Sequence, residues 1–282
     1  MSVSLADAAT TAVRTSPLVT INDIEPAGTP LQRAAQRRIH RARRDLKNIE
    51  GATSFGRSVA AFLPELEPQC FAGIVRNYRR VLLIGDREAV GTVAGTARPM
   101  GAEITDPMPV IGAGAATFRA AATDAKERAE RTTGRRFELL RPDASAERIR
   151  AIQELQVAVG LTPLPGVFLR GRHGEVSTIT LVGDDGRLLA SATTVGLANV
   201  GRRFSASAII VGVAVAAEAR GLGLGSGITG AALVEAHQGL GAEDVIAVVA
   251  PKNTIAFKTN ARFGLLPRAE EQALYVELGD GA

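Results

Sequence analysis

The chain has 282 residues, of which 46% are hydrophobic and 4% aromatic, and its formal net charge at pH 7 is +4. This length fits two ordinary domains better than one large one, with a core built from aliphatic side chains. A single cysteine, Cys70, excludes an internal disulfide and favours a reducing compartment. The longest apolar run, residues 206–217, is too short to span a membrane, and no secretory signal is evident. We therefore expect a cytoplasmic protein with no membrane partner.

The basic excess lies in the first half of the chain, where six arginines cluster between Arg33 and Arg44. Small and apolar residues separate these charges, which predicts a helix. Such a helix could contact nucleic acid or an acidic partner, but a solvated helix face is the simpler interpretation. No aromatic side chain is interspersed to stack on bases, so we do not expect nucleic acid as the main partner. With three histidines and one cysteine, no set of metal ligands is evident either.

The first half predicts helices and extended segments in alternation after an irregular lead-in over residues 1–28. Helices are predicted over 29–50, 56–78 (broken at its prolines), 88–97 and 115–131, and extended segments over 80–85 and 103–111. Pro107 and Pro109 make the second of these segments an edge or irregular strand. The alternation predicts a smaller α/β or α-rich accessory domain over residues 29–134.

The second half predicts a mixed sheet flanked by helices, again an α/β fold, over residues 137–282. Strands are predicted over 137–140, 175–182, 187–195, 208–215, 244–249 and 274–278, and helices over 145–159, 225–240 and 253–262. Ser145 is a typical helix cap. The glycine-bounded segment 183–186 indicates a hairpin turn.

The most informative segment is Arg220-Gly221-Leu222-Gly223-Leu224-Gly225-Ser226, which links a predicted strand to a predicted helix. Alternate glycines leave the main-chain N–H groups accessible, and the helix N-terminus adds the positive end of its dipole. This combination predicts a pyrophosphate site. A dinucleotide fingerprint would need glycine where Ser226 stands and a position after the first strand of the domain. A Walker A loop would need a Lys-Ser/Thr pair after the glycines, and none is present.

Together with the strand residues Val213-Ala214-Val215, this segment resembles the R/Q-x-x-G-x-G/A signature of the GNAT superfamily of N-acetyltransferases. A second segment, Asn253-Thr254-Ile255-Ala256-Phe257 followed by Arg262-Phe263-Gly264-Leu265, resembles the N-x-x-A helix of that family and its K/R-x-G-F ending. The resemblance covers residues 137–280. It implies an enzyme that uses acetyl-CoA or another acyl-CoA as co-substrate, needs no metal, and acylates an amine of a small molecule or protein.

By that resemblance, the coenzyme would lie against the glycine-rich loop, the free edge of the strand before it, and the second motif. The implied cofactor-binding residues are Val213, Val215, Arg220, Gly221, Leu222, Gly223, Leu224, Gly225, Ser226, Asn253, Ala256 and Phe257. The loop amides would hold the pyrophosphate, and the strand edge would pair with the pantetheine arm. For Phe257, ordinary core packing is the alternative.

The catalytic groups are less defined. The tyrosine that acts as acid in the family is replaced here by Asn260, which cannot serve as an acid at neutral pH. Tyr275 lies too far along the chain for the motif to assign it that role. Glu218, Glu175 and His173 are the candidates for a general base.

By the same resemblance, substrate choice would depend on the first helix of the second half, the loop after it and the last strands. That loop, residues 160–174, is apolar and carries Arg170 and Arg172. Either arginine could meet a carboxylate on the acceptor.

The role of the first half remains open between a degenerate acyltransferase-like half, a dimerisation surface and a substrate lid. Gly112 and Gly114 could hold a phosphate, but a third glycine is missing. The main alternative to an enzyme is a non-catalytic module that senses acyl-CoA or an amine through a degenerate acyltransferase fold. A homodimer is compatible with either function.

Overall fold

The computed structural model describes residues 24–46, 48–172 and 175–279. Its helices are α1 (Pro30–Leu46), α2 (Pro68–Tyr78), α3 (Arg87–Gly95), α4 (Ala115–Thr133), α5 (Ala146–Ala158), α6 (Gly166–Leu169), α7 (Leu224–Gln238) and α8 (Thr254–Ala261). Its strands are β1 (Ala52–Ser54), β2 (Val59–Phe62), β3 (Arg80–Asp86), β4 (Ala102–Ile104), β5 (Met108–Gly114), β6 (Glu138–Leu139), β7 (Val176–Val182), β8 (Leu188–Gly196), β9 (Ser207–Val215), β10 (Asp244–Val248) and β11 (Leu266–Leu278).

The described strands form one mixed sheet with helices on its faces. The strand order is β1-β2-β3-β11-β5-β10-β9-β8-β7-β6, and β4 pairs with β11 beside this path. The α/β fold class is therefore confirmed. The division into domains over 29–134 and 137–282 stays a prediction, because each half contributes a strand to the other half's part of the sheet.

The last strand of each half, β5 in the first and β11 in the second, pairs with a strand of the other half, and we call these two the exchanged strands. In the first half, β2 and β3 are parallel and joined by α2, and in the second half β9 and β10 are parallel and joined by α7. β3 then pairs antiparallel with β11 from the end of the chain, while β10 pairs antiparallel with β5 from the first half. The repeated arrangement fits the interpretation of the first half as acyltransferase-like. It lacks a glycine loop, however, since Glu67 and Pro68 precede and open α2.

Buried side chains form two cores on either side of the exchanged strands. Alternation along β2 directs Phe62 toward the larger core, which is built mainly by the second half, and Val59 toward the smaller one. The smaller core belongs mostly to the first half but includes Leu274 and Val276 of β11. The exchange therefore joins the halves through buried apolar contacts as well as through main-chain hydrogen bonds.

Most elements predicted within the described residues are confirmed, with two exceptions, and the lead-in predicted over 1–28 lies largely outside those residues. Residues 59–62, predicted as helix, form β2, because all four are buried in the sheet and pair with β3. For the segment with Pro109 the alternative of an edge strand is wrong, since β5 lies in the interior of the sheet, whereas the alternative of an irregular strand agrees with its pairing. Pro109 lies near the beginning of β5, beside the register shift in β11, so its missing N–H falls where the ladder is already irregular. The predicted cap is confirmed, since Ser145 Oγ accepts the N–H of Arg148 at 3.2 Å.

Small residues let α4 pack closely on α7. A Cβ added at Gly230 would lie 2.5 Å from the carbonyl oxygen of Ala122, and one at Gly227 would lie 2.3 Å from the Cβ of Ala129. Neither glycine has a positive φ, so close approach explains them rather than backbone conformation. The long helix of the first half thus supports α7, the helix whose N-terminus follows the glycine-rich loop.

Candidate functional site

A cavity of about 440 Å³ opens where β9 and β10 separate. The two parallel strands pair from Ser207 and Asp244 to Ile209 and Ile246, and beyond this point they diverge. The end of β9 therefore has one edge that no strand of the described residues covers, next to a space that admits an extended ligand. The cavity is lined by Phe55, Arg57, Ser58, Leu82, Met108, Leu161, Ile209, Ile210, Val211, Gly212, Val213, Val215, Gly225, Thr229, Ala247, Val248, Val249, Ala250, Asn253, Ile255, Ala256, Thr259, Asn260 and Tyr275.

A β-bulge bends β9 at the cavity. Between the pairs that Ala214 and Val211 make with β8, β9 has one residue more than its partner. Gly212, in this interval, has a φ of +65°, a left-handed conformation that glycine adopts without strain. Val213 is 37% exposed, and both it and Val215 line the cavity, where the sequence placed them.

The loop between β9 and α7 presents unused main-chain donors. Gly221 and Gly223 have φ values of +82° and +77°, and a Cβ on either residue or on Gly225 would meet no atom within 4 Å. The first hydrogen bond of α7 runs from the N–H of Gly227 to the carbonyl of Gly223, at 3.0 Å. Within the described part of the chain, the N–H groups of residues 221–226 make no hydrogen bond to a protein acceptor. The loop therefore offers consecutive donors, and the positive end of the α7 dipole, to open space.

Two arginines add positive charge at the same helix end. Arg220 begins the loop and is exposed. Arg262, which follows α8, donates from Nη1 to Ser226 Oγ at 3.1 Å, at the N-terminus of α7. The motifs assign Arg262 no binding role, because only the packing of α8 against α7 brings it there. Both charges favour an anionic ligand such as a diphosphate.

The second motif lies along the opposite wall. Asn253 caps α8, since its Oδ1 accepts the N–H of Ala256 at 3.0 Å, and both residues line the cavity. Asn260 also lines it and donates from Nδ2 to the carbonyl of Ala256 at 2.9 Å. Phe257 lies outside the lining and is half-buried against the larger core, which is the packing role named as its alternative.

The predicted candidate bases lie away from the cavity. Glu218 is exposed and forms a surface ion pair with Arg187, at 3.4 Å between Oε1 and Nη2. Glu175 is exposed beside Gly196, which pairs with Ala208 at the beginning of β9, whereas the glycine-rich loop follows the end of that strand. Neither glutamate belongs to the lining. His173 lies outside the described residues.

The first half and the last strand supply residues that the motifs did not indicate. Tyr275 of β11 lines the cavity and pairs with Leu82 of β3. The guanidinium of Arg80 lies over the Tyr275 ring, 4.4 Å from its centroid. None of the described lining residues is Asp, Glu or His, so the cavity walls hold no carboxylate or imidazole base.

Arg57 and Ser58 also reach the cavity, from the turn between β1 and β2. The Nη1 of Arg57 donates to the carbonyl of Thr162 at 2.6 Å, in the loop that the sequence linked to substrate choice. Burial lowers the pKa of Arg57, the phenol of Tyr275 acts in the opposite sense, and the charge of Arg80 lowers it further.

The arginines that the sequence offered for a carboxylate are engaged elsewhere. Arg170 is buried and binds the carboxylate of Glu25, and its guanidinium also donates to the carbonyl of Ala144, with 2.7 Å from Nη2. Arg172 donates from Nη2 to the carbonyl of Pro142 at 3.1 Å. Neither arginine lines the cavity.

Two further features bear on the class of protein. Within residues 24–46, 48–172 and 175–279, no group of three His, Cys, Asp or Glu side chains could hold a metal ion. In the same ranges, no helix has both the length and the apolar character required to cross a membrane.

Comparison with known proteins defines the fold. The sequence matches no protein-family model and no curated protein. The structure is similar to a GCN5-related N-acetyltransferase from Kribbella flavida, with a TM-score of 0.52 and 15% identity, over 90% of this chain and 98% of that chain. It is also similar to a putative GNAT-family acetyltransferase from Novosphingobium aromaticivorans, with a TM-score of 0.52 and 16% identity, over 79% and 84% of the two chains.

The chain therefore has the fold of GNAT acetyltransferases. Because 90% of it is covered by the first of these structures, the likeness extends into the first half, which the sequence motifs left out.

Proposed function

We propose that this protein is an acyl-CoA-dependent N-acyltransferase that transfers an acyl group, acetyl above all, from coenzyme A to an amine. The observation that carries the proposal is the row of unused N–H groups at residues 221–226, next to the cavity between β9 and β10. The first N–H groups of a helix lack intrahelical partners, and Gly221, Gly223 and Gly225 add no side chain that would cover them. Here they face open space, so an anionic ligand is their natural partner.

In this proposal the diphosphate of coenzyme A binds the loop, with Arg220 and Arg262 offsetting its charge. The pantetheine arm runs along the uncovered edge of β9, where its amide groups take the place of a neighbouring strand. Asn253 and Ala256 contact the arm from the opposite wall. The thioester then lies beside the bulge at Gly212, close to the part of the cavity that the first half closes.

The reaction is direct acyl transfer. The amine nitrogen forms a bond to the thioester carbonyl carbon, the carbon–sulfur bond breaks, and coenzyme A leaves with the bonding electrons. Main-chain N–H groups on the free edge of β9 stabilise the oxyanion that develops. Since the described lining holds no carboxylate or imidazole, water accepts the proton that the amine loses. The phenol of Tyr275 gives a proton to the departing thiolate, a role that the amide of Asn260 cannot fill.

A second candidate function is a non-catalytic sensor of acyl-CoA. It is favoured by Asn260 standing where the family has its acid, and by the lack of an acidic base among the described lining residues. The sensor and the enzyme share the coenzyme site and differ only in turnover.

Binding and turnover should be measured separately. Calorimetric titration should show binding of coenzyme A about 10²-fold tighter than that of pantetheine, which lacks the diphosphate. Thiol release from acetyl-CoA should then increase when a panel of primary amines is added. Tight binding without amine-dependent thiol release would establish the sensor. Equal affinity for coenzyme A and pantetheine would disprove the diphosphate site, and with it both functions.

A further inference from the structure

Arg57 is a cation at the cavity without an acidic partner. It lies in the β1–β2 turn, which is held in place by the hydrogen bond from Phe55 N–H to Ser58 carbonyl, 2.9 Å, and by the contact of Gly56 with Phe168. In the described residues its guanidinium makes no salt bridge, and the carbonyl of Thr162 is the one acceptor it contacts. A guanidinium has five N–H donors, so most of the hydrogen-bonding capacity of Arg57 is unused.

Arg57 is half-buried, and withdrawing a cation from water without a counter-charge is unfavourable, a cost that the lowered pKa of Arg57 reflects. The nearby cation Arg80 adds to the cost, although Arg80 itself is paired with Glu277 at 3.1 Å. Arg170 shows how this fold satisfies a buried arginine elsewhere, with a carboxylate and a carbonyl. No described carboxylate pairs with Arg57, which lines the cavity instead.

Ser58 is an independent observation at the same place. Its side chain is 2% exposed, and its Oγ has no hydrogen-bond partner among the described residues. A buried hydroxyl without a partner is costly unless a ligand satisfies it. Ser58 and Arg57 are adjacent in sequence and both line the cavity, so one ligand group could satisfy both.

We propose that Arg57 and Ser58 bind a carboxylate carried by the acceptor amine. This inference rests on the proposed acyl transfer, because it assigns the part of the cavity closed by the first half to the acceptor. A carboxylate can take two parallel hydrogen bonds from a guanidinium and a third from a hydroxyl. Around this pair the walls are apolar, formed by Phe55, Leu82, Met108 and Leu161. The acceptor class is therefore an amino acid with an apolar side chain.

The test compares acceptors that differ only in the carboxylate. Leucine and phenylalanine are offered with acetyl-CoA beside their carboxamides, and kcat/KM is measured for each. The natural protein should prefer the carboxylates, and Arg57→Gln should reduce that preference about 10- to 100-fold without changing acetyl-CoA affinity. Arg57→Lys should restore it in part. Arg172→Gln, which removes a surface arginine outside the cavity, should leave the preference unchanged.

Ser58→Ala keeps the test decisive should Arg57→Gln fail to fold. Removing an unsatisfied hydroxyl should leave stability unchanged or raise it, while KM for the amino acids rises and that for the carboxamides does not. A preference that neither variant alters would overturn the inference. The inference would also be overturned if the protein preferred succinyl-CoA to acetyl-CoA and Arg57→Gln removed that preference. The carboxylate that Arg57 binds would then belong to the acyl group and not to the acceptor.

Calorimetry separates a failure of this inference from a failure of the proposed function. Leucine is titrated into the protein saturated with coenzyme A, which cannot react, and into its Arg57→Gln variant. Binding that Arg57→Gln weakens supports the carboxylate site even without turnover. Turnover of amines with no such binding difference refutes the carboxylate site alone.

Discussion

Gly225 offers a substitution whose effects on stability and on binding have opposite signs. It is the second residue of α7, it lines the cavity, and its φ is not positive. A Cβ there would meet no atom within 4 Å, so Gly225→Ala introduces a methyl group without a clash. Gly223→Asp is a poorer test, because φ at Gly223 is +77° and any side chain there costs roughly 1–2 kcal/mol of strain.

The magnitudes follow from this geometry. Replacing a helical glycine by alanine should raise the free energy of unfolding by about 0.5–1 kcal/mol. The same methyl group projects into the space proposed for the diphosphate and moves it away from the loop amides. Losing two charge-assisted hydrogen bonds of about 1.5–3 kcal/mol each would weaken coenzyme A binding by about 10²- to 10⁴-fold.

The assay pairs chemical denaturation with calorimetric titration of coenzyme A. Gly91→Ala is the matched control, because Gly91 is an exposed glycine within α3 whose added Cβ also meets nothing within 4 Å. Both variants should be stabilised, and only Gly225→Ala should lose affinity. If Gly225→Ala bound coenzyme A as tightly as the natural protein, the cofactor would not contact the first turn of α7, and the proposed site would be wrong.

Three other substitutions probe packing, ionisation and chemistry. Gly230→Ala places a methyl group 2.5 Å from the carbonyl oxygen of Ala122. We expect the free energy of unfolding, measured with denaturant, to fall by about 1–3 kcal/mol, and an unchanged value would contradict the close approach of α4 and α7. Burial, aided by the charge of Asp45, raises the pKa of Tyr78 to about 12. The unfolded phenol ionises near pH 10, whereas the folded one stays protonated up to about pH 12. The free energy of unfolding is therefore unaffected by this group below about pH 10 and falls as the pH rises from 10 toward 12. Tyr78→Phe should therefore flatten the alkaline part of a stability–pH curve, and an unchanged curve would show that another group causes the loss. Tyr275→Phe should lower kcat by about 10²-fold with acetyl-CoA affinity unchanged. If the variant had the same kcat as the natural protein, water and not Tyr275 would protonate the thiolate.

The sequence predicted the parts of the site that one local segment encodes. The alternate glycines at 221, 223 and 225 were sufficient to predict the exposed donors, because the conformation they permit depends on few neighbours. For Asn253 the resemblance implied cofactor binding, and the cap role was not predicted. Its side chain satisfies the helix end in the structure, as local spacing to Ala256 allows.

Residues that reach the cavity through tertiary packing could not be predicted. Arg57 and Ser58 precede β2, whose residues were predicted as part of a helix over 56–78, and no motif links them to β9. Tyr275 enters the cavity because β11 crosses to β3, a pairing of residues nearly two hundred positions apart. The catalytic roles predicted for Glu218 and Glu175 stay predictions. Glu218 lies beside the first motif in sequence and Glu175 before a predicted strand, and neither is among the lining residues of the cavity.

The pairing of β5 and β11 with strands of the opposite half also determines when the molecule can finish folding. β3 acquires its neighbour β11 only once the chain has been synthesised as far as residue 278. Until then the nascent first half exposes an apolar strand edge, which is open to pairing with other chains on the ribosome or in the cell. Because contacts of such long sequence separation form slowly, expression yield should depend on chaperone supply more than on the intrinsic stability of either β-α-β unit.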